Sequence, residues 1–399
     1  MKKLICILLI SILLLTLTGC WDIAEPEDRA MVIAFGSEYM PEEDKYRIYS
    51  QIINPLTMAG TSGAGGGGGN SQESSYWTVA GEGKTIIETL NNLRTKISRR
   101  FYYGHTQLEI YSQELAKTEG LAPILDAMER ARQTRPIITP VITSGDMENI
   151  MTRPMPIESI SGQGIHRQLE ITNSEIGGTV QQTAEKFLNK LSTPGIEPVA
   201  AHVKNIEEEE EEEEEEKSPL LKATGLAAFR GDKLAGILNR KETRGYNWIT
   251  NRVESTFLNI TLPGYKEEQA SIRASSRGGE IIPVIKDGKP AVRVLVSAQG
   301  LIENVTAHVH LKKESQLQES LNRRMAQAVK NDIKSGIEKA KELKSDIFGF
   351  GRSFYHNHYP LWKELDDDWE EEFVNLPVEI EVKADIKEIG LINKPITPH

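Results

Sequence analysis

The first half of the chain carries two rhythms of apolar and polar positions. Strand-like segments are either continuously apolar or alternate with a period of two, whereas helix-like segments place apolar side chains three or four residues apart. The predicted strands are 30–35, 46–53, 107–111 and 137–142, and the predicted helices are 85–98, 121–132 and 179–191. This mixture predicts an α/β region in which helices pack on a sheet.

The second half is dominated by strand patterns and one long helix. Asp287-Gly288 lies between two apolar runs and suits a tight hairpin turn with positive φ. The charged segment 314–343 carries a single apolar stripe, which predicts an amphipathic helix lying on a sheet. The remaining predicted elements are strands at 226–229, 234–238, 281–285, 291–298, 302–311 and 378–386 and a helix at 359–372. The predicted fold class is α+β or mixed α/β, in several domains, with helices packed on mostly antiparallel or mixed sheets.

Two low-complexity stretches suggest how the chain is divided. Residues 58–75 are rich in glycine, have little to bury and are expected to form a flexible loop. Ten consecutive glutamates at 207–216 repel one another, so we interpret them as a solvated segment rather than a metal site. The predicted divisions are a signal peptide at 1–19, an N-terminal α/β region at 20–200, an acidic linker at 201–221 and a C-terminal α+β region at 222–399.

The first twenty residues have the layout of a bacterial lipoprotein signal. Two lysines precede an apolar run, 4–17, that would reach only about 21 Å as a helix, short of a bilayer core. Thr18 and Gly19 then lead directly to Cys20, as in a lipobox. Cys20 is therefore the predicted lipidation site, and two or more acyl chains would make the anchoring stable.

Cysteine content and charge exclude several classes of protein. Cys6 lies in the segment that signal cleavage would remove, so the mature chain has no second cysteine for an internal disulfide or a Cys/His zinc finger. The chain has 47 basic and 58 acidic side chains, without the clustered Lys and Arg of a nucleic-acid surface. We therefore expect no nucleic-acid partner.

Few residues suggest catalytic or metal chemistry. His308 and His310 share one face of a predicted strand, and His356 and His358 have similar spacing, but neither pair has a third ligand nearby in sequence. We interpret both pairs as surface histidines, and the tryptophans of the predicted helix 359–372 as core. The chain has no nucleophile elbow, zinc-protease helix, phosphate loop or dinucleotide fingerprint. We therefore predict that the protein is not an enzyme and uses no metal or cofactor.

Several motifs stand out along most of the mature chain: GCWD at 19–22, the helix 85–98, HTQLEIYSQELA at 105–116, KSDIFGFG at 344–351, YPLW at 359–362, Trp369, Phe373 and IGL at 389–391. Together they resemble the motifs of the Ger(x)C lipoproteins, the C subunits of spore germinant receptors. Gly36-Ser37-Glu38 departs from the Gly-Ile-Asp that is common in the family.

The resemblance implies a three-domain α/β arrangement and a non-catalytic receptor subunit required for germination in response to small nutrients. The implied partners are membrane-embedded A and B subunits, and the implied location is the outer face of the cytoplasmic, inner spore, membrane. It leaves open whether this subunit binds germinant directly. The alternative function is that of a solute-binding lipoprotein of an importer, which would hold a small solute between two domains. A lipid-anchored cell-wall hydrolase would need a paired carboxylate or a nucleophile site.

Overall fold

The computed structural model describes residues 28–54, 75–130, 137–155, 157–206, 220–265, 267–306 and 315–389, together with the single residue Ile5. Within these residues the chain forms two mixed β-sheets covered by helices, which confirms the predicted fold class. The predicted lipidation site Cys20, the glutamate run, residues 58–74 of the glycine-rich stretch and the first histidine pair lie outside the described residues.

The first sheet is parallel at its centre and antiparallel at its sides. Its strands are β1 Arg29–Met40, β2 Lys45–Ile53, β3 Tyr76–Gly83, β4 Arg100–Tyr102, β5 Leu108–Ser112, β6 Thr139–Thr143, β7 Val199–Ile206, β8 Leu220–Arg230 and β9 Lys233–Asn239. They follow the order β3-β2-β1-β5-β6-β7-β8-β9, with β4 beside the start of β1. The parallel strands β1, β5, β6 and β7 are buried on both faces, which explains their continuous apolar runs.

Helices cover both faces of this sheet. They are α1 Ile86–Arg94, α2 Gln113–Thr118, α3 Ala122–Arg130, α4 Met147–Thr152, α5 Ser161–Ile171 and α6 Ala184–Leu191. Apolar side chains of α1, α2, α3 and α6 share one core with the sheet, and those of α4 and α5 share another on the opposite face. The result is a three-layer α/β/α arrangement.

The second sheet is formed by four strands in the order β10-β11-β12-β13. They are β10 Thr256–Thr261, β11 Gln269–Lys286, β12 Lys289–Val305 and β13 Val378–Ile389. The predicted hairpin is confirmed, because Asp287 and Gly288 at the β11–β12 turn have φ of 51° and 76°. β13 runs parallel to β12, so the chain crosses over between them through helices.

The crossover consists of a long helix and three short ones: α8 Ser315–Glu342, α9 Phe350–Asn357, α10 Tyr359–Leu365 and α11 Trp369–Asn375. The predicted apolar stripe of α8, including Met325, Val329 and Ile333, is buried in the apolar core of the second sheet. Helix α7, Arg240–Ile249, follows β9 directly and crosses α8 so closely that a Cβ on Gly245 would collide with the carbonyl oxygen of Asp332.

A buried ion pair fixes this helix crossing. Arg244 of α7 donates from Nε and Nη2 to the carboxylate of Asp332 on α8, at 2.6 and 3.0 Å. Asp332 is only 3% exposed, so its carboxylate depends on these two bonds for compensation. The surrounding apolar cluster includes Leu226 of β8 and Val294 of β12, so the two sheets share one core.

Several predicted elements differ in extent from the observed ones, and three of the differences have a clear physical reason. The helix predicted at 359–372 is interrupted by a 3₁₀ turn at Asp366–Asp368, since three consecutive aspartates are poor helix formers. The helix predicted from residue 179 begins at Ala184, where the Thr183 side chain caps it. The strand predicted from residue 302 is the end of β12, which runs through Gly300 because the absent side chain leaves room for Met325 of α8.

The acidic run connects two neighbouring strands of the first sheet. β7 ends at Ile206 and β8 begins at Leu220, and these two residues are antiparallel partners in the ladder. Both ends of the predicted linker 201–221 are therefore strand residues, and the sheet continues across the run.

Candidate functional site

The predicted site residues contribute little within the described structure. His356 lies in the last turn of α9, and His358 lies between α9 and α10. His356 is exposed and accepts a hydrogen bond from Arg352. Over the ranges that the structure describes, no three His, Cys, Asp or Glu side chains come together as metal ligands. No helix in these ranges is both long enough and apolar enough to cross a bilayer.

The segment 344–351, which carries the most specific motif, surrounds one buried carboxylate. Oδ1 of Asp346 accepts hydrogen bonds from the backbone N–H of Gly349 and Phe350, at 2.9 and 3.0 Å. Its Oδ2 accepts from the N–H of Gly351 at 2.8 Å and from Nε1–H of Trp369 at 3.2 Å. Four donors therefore converge on a side chain that is 3% exposed.

Burial and hydrogen bonding act in opposite directions on Asp346. Burial raises the pKa of the carboxyl group more than the three backbone donors and the tryptophan lower it, and the resulting pKa is about 6. At neutral pH the group is therefore mostly ionised and can accept all four bonds. Its position at the start of α9 also places the negative charge near a helix N-terminus.

Two glycines allow a second chain segment to approach this carboxylate. A Cβ on Gly351 would lie 2.6 Å from Nε1 of Trp369 and 2.8 Å from the Cα of Gly195. The N–H of Arg352 donates to the carbonyl oxygen of Gly195 at 2.7 Å, and the N–H of Glu197 donates to that of Asp346 at 2.9 Å. The segment before β7 is thus bound directly to the segment 344–351.

The hairpin of β8 and β9 completes the contact between the sheets. The hydroxyl of Ser345 donates to the carbonyl oxygen of Phe229 at 2.5 Å, and the N–H of Gly231 donates to the Glu197 carboxylate at 2.8 Å. Glu370 lies 3.1 Å from Lys344 and 3.4 Å from Arg230. We call this set, comprising 195–197, 229–231, 344–351 and 369–370, the Asp346 junction, because it joins the first sheet to the crossover helices of the second.

Aromatic side chains fill the space beside the junction. Phe348 and Phe350 stack with ring centroids 5.2 Å apart, and Trp362 and Trp369 lie 5.3 Å apart. All four are buried, which confirms the predicted core role of the tryptophans. The large contact areas of these rings add apolar stabilisation to the polar bonds of the junction.

From sequence alone, Gly349 and Gly351 would suit the end of the long helix. Helix α8 instead ends at Glu342, after which Lys344 adopts a left-handed conformation with φ of 52°, and Gly349 is the N-cap of α9. The role of Asp346 was missed, although an acid three residues before a glycine at a helix start is a usable signal.

A second buried carboxylate lies inside the first sheet. Glu109 of β5 is 2% exposed, and burial raises its pKa to about 7, partly offset by a hydrogen bond from the Tyr111 hydroxyl at 2.5 Å. His202 of β7 is also buried, which lowers its pKa to about 4, and its Nδ1 lies 2.6 Å from the Thr224 hydroxyl. β6 separates the two strands, so these groups do not form an acid–base pair.

Two family models match this chain, one on each side of the acidic run. Residues 22–205 match the family of spore germination protein N-terminal domains, and residues 224–390 match the family described as spore germination B3/GerAC like, C-terminal. The chain belongs to the Ger(x)C family of spore germination proteins. The resemblance noted from its motifs is confirmed. The two matched regions lie on either side of the acidic run.

Relatives extend over the full length of this Ger(x)C protein. Spore germination protein KC of Bacillus subtilis (strain 168) is 29% identical, over 98% of this chain and 97% of its own. Spore germination protein B3 of the same organism is 20% identical, over 96% and 97% of the two chains. The crystal structure of the GerBC protein has a TM-score of 0.52 at 18% identity, over 92% of this chain and all of that chain, which shows a shared fold.

Replacing Asp346 by asparagine tests the junction. In either orientation of the new amide, its NH₂ group would face two N–H donors where a carboxylate oxygen accepts in the wild type. We therefore expect Asp346→Asn to lower the free energy of unfolding by about 1–3 kcal/mol. Asp367→Asn, in the exposed 3₁₀ turn, makes the same chemical change and should stay within about 0.5 kcal/mol of wild type. Urea unfolding at pH 7.5 measures both, and equal stability of the two variants would contradict the account.

Glu109 should make stability depend on pH. Because its pKa is raised in the folded state, the folded protein holds a proton that the unfolded chain releases as pH rises from about 4.5 to about 7. Stability should fall across this window, by about 1.4 kcal/mol for each unit by which the folded pKa exceeds the unfolded one. Glu109→Gln keeps an acceptor for Tyr111 and has no proton to release, so its urea-unfolding free energy should fall less between pH 5 and pH 8. Identical pH slopes for wild type and variant would exclude this role.

Proposed function

We propose that this chain is a non-catalytic, lipid-anchored subunit of a nutrient germinant receptor, required for spore germination in response to small nutrients. The observation that carries the proposal is its end-to-end similarity to spore germination proteins such as KC and B3. Within the described residues, the most specific family motif forms a buried junction rather than a reactive site. A rigid body that acts through protein contacts is consistent with such an arrangement.

The proposed anchor places one end of the first sheet near the membrane. The eight residues between Cys20 and Arg29 span at most about 30 Å when fully extended. β1 therefore begins within that distance of the lipid, and with it the adjoining strand β4, since Arg29 pairs with Arg100 in the ladder. The sheet end that bears β4 is thus the end that we propose faces the bilayer.

The charge at this sheet end supports the proposed orientation. Arg94, Lys96, Arg99 and Arg100 are exposed along the segment that leads into β4, and the guanidinium group of Arg29 stacks 4.6 Å from the Tyr102 ring centroid. Basic groups close to a membrane surface are attracted to anionic lipid headgroups, each by about 1 kcal/mol. They would add to the affinity that the acyl chains supply. The partners that we propose are the membrane-embedded A and B subunits.

The Cys20→Ala variant tests the anchor and the function together. It should be expressed in a sporulating host that lacks the native copy and other nutrient receptors, so that redundancy cannot mask a defect. Without the thiol the lipid cannot be attached, so we expect loss of the protein from the inner spore membrane and loss of nutrient-triggered germination. Cys6→Ala, in the segment removed with the signal, is the matched control and should germinate normally.

Immunoblots of inner spore membranes measure the retention of the protein, and the loss of spore refractility after nutrient addition measures germination. Normal germination of the Cys20→Ala spores would contradict a lipid-dependent receptor role. Full membrane retention of that variant would contradict Cys20 as the anchor.

A further inference from the structure

A cavity of about 530 Å³ opens on the solvent face of the second sheet. It is bounded by β11, β12 and β13 and by the loop that joins α7 to β10. Its polar lining includes three cations, Arg273, Arg277 and Lys387, together with Gln299 and Glu254. Its floor is the strand backbone at residues 274 and 300, whose opposite face is covered by α8.

Two of the three cations occupy β-bulges. Arg277 is the extra residue of β11 between the paired positions Ser276 and Gly278, and Lys387 is the extra residue of β13 between Ile386 and Glu388. A bulge redirects a side chain that would otherwise follow the strand alternation. Two independent irregularities, in strands that are separated by β12, thus bring positive charge to the same cavity.

The walls of the cavity are held by partly buried hydrogen bonds. The N–H and hydroxyl of Ser276, beside the first bulge, donate to the carbonyl oxygen of Val253 at 2.8 and 3.1 Å. The Thr256 hydroxyl donates to the carbonyl oxygen of Ile176 at 2.7 Å. The loop that carries Glu254 and Ser255 is therefore fixed to β11 on one side and to the segment that follows α5 on the other, as a preorganised site requires.

The charges of the lining are only partly compensated. Arg273 donates to Glu303 at 2.8 Å and lies 5.6 Å from the Phe257 ring centroid. Arg277 donates from Nε to the neutral amide oxygen of Gln299 at 2.7 Å, which leaves its two Nη groups directed elsewhere. Within the described residues Lys387 has no carboxylate partner within ion-pair distance. The neighbouring acids are Glu254 in the lining and Asp385, which pairs with Gln299 across the ladder.

We propose that this cavity binds a small organic oxyanion, a carboxylate or a phosphate ester, between Arg277 and Lys387. A guanidinium group presents two parallel donors to such oxygens, and an ammonium group adds a point charge. The cavity volume is in the range of small-molecule sites. Glu254 at the rim would accept a donor from the ligand, such as a hydroxyl or amino group. This inference goes beyond the proposed receptor role and does not depend on it.

The test compares two variants with equal loss of charge. Arg277→Gln with Lys387→Gln removes the two cations of the cavity. Arg293→Gln with Lys383→Gln removes two exposed cations from β12 and β13 outside the cavity lining, of which Arg293 pairs with Glu379. All four side chains are surface groups, so both variants should keep the wild-type unfolding midpoint without ligand.

The full chain, purified in a non-ionic detergent, is titrated calorimetrically with inorganic phosphate and with succinate at low ionic strength. Separate sedimentation assays use vesicles of phosphatidylglycerol and of phosphatidylcholine. We expect the wild type to bind saturably, with an affinity that falls as salt is added. The affinity of the cavity variant should be lower by roughly tenfold or more. The control variant should stay within about twofold of wild type.

The probes distinguish the source of the oxyanion. Binding of phosphate or succinate that the cavity variant loses supports a dissolved ligand. Binding of phosphatidylglycerol vesicles alone, lost in the cavity variant and kept in the control, supports a lipid headgroup. Absence of saturable binding to every probe, or equal binding by the two variants, would overturn the proposal.

Discussion

One ionised carboxylate, buried with four N–H donors, holds the two halves of this protein together. Asp346 can remain charged away from water because Gly349, Phe350, Gly351 and Trp369 supply donors in the places of lost water molecules. Those donors belong to the crossover helices, whereas the backbone around Asp346 binds the segment that leads into β7. Asp346 therefore connects the first sheet to the crossover helices of the second.

A second polar connection between the two sheets lies at the crossing of α7 and α8. The Arg244–Asp332 pair fixes α7, which follows the first sheet, to the helix that covers the second. Truncating either partner would leave an uncompensated charge in a low-dielectric interior. With the shared apolar cluster, the two polar links make the described residues one mechanical unit.

Local patterns were sufficient to predict much of the fold. Strand alternation, the Asp287-Gly288 turn and the stripe of α8 are properties of adjacent residues, and all three were observed. Helix α7 was not predicted, because its burial includes polar residues such as Asn247, whose amide bonds distant backbone carbonyls. The cavity on the second sheet could not be predicted either, since Arg277 and Lys387 are far apart in sequence and both line it because of two bulges. Cys20, in contrast, is predicted from sequence alone.

We propose that the protein acts as a rigid, membrane-held subunit of a receptor and not as an isolated binding protein. Affinity purification from detergent-solubilised inner spore membranes, followed by mass spectrometry, tests that claim most directly. The account predicts that the chain brings with it two integral membrane proteins in amounts comparable to its own. Recovery of the chain alone, or with a transport ATPase and its permease, would contradict the receptor role, and the second result would favour an importer.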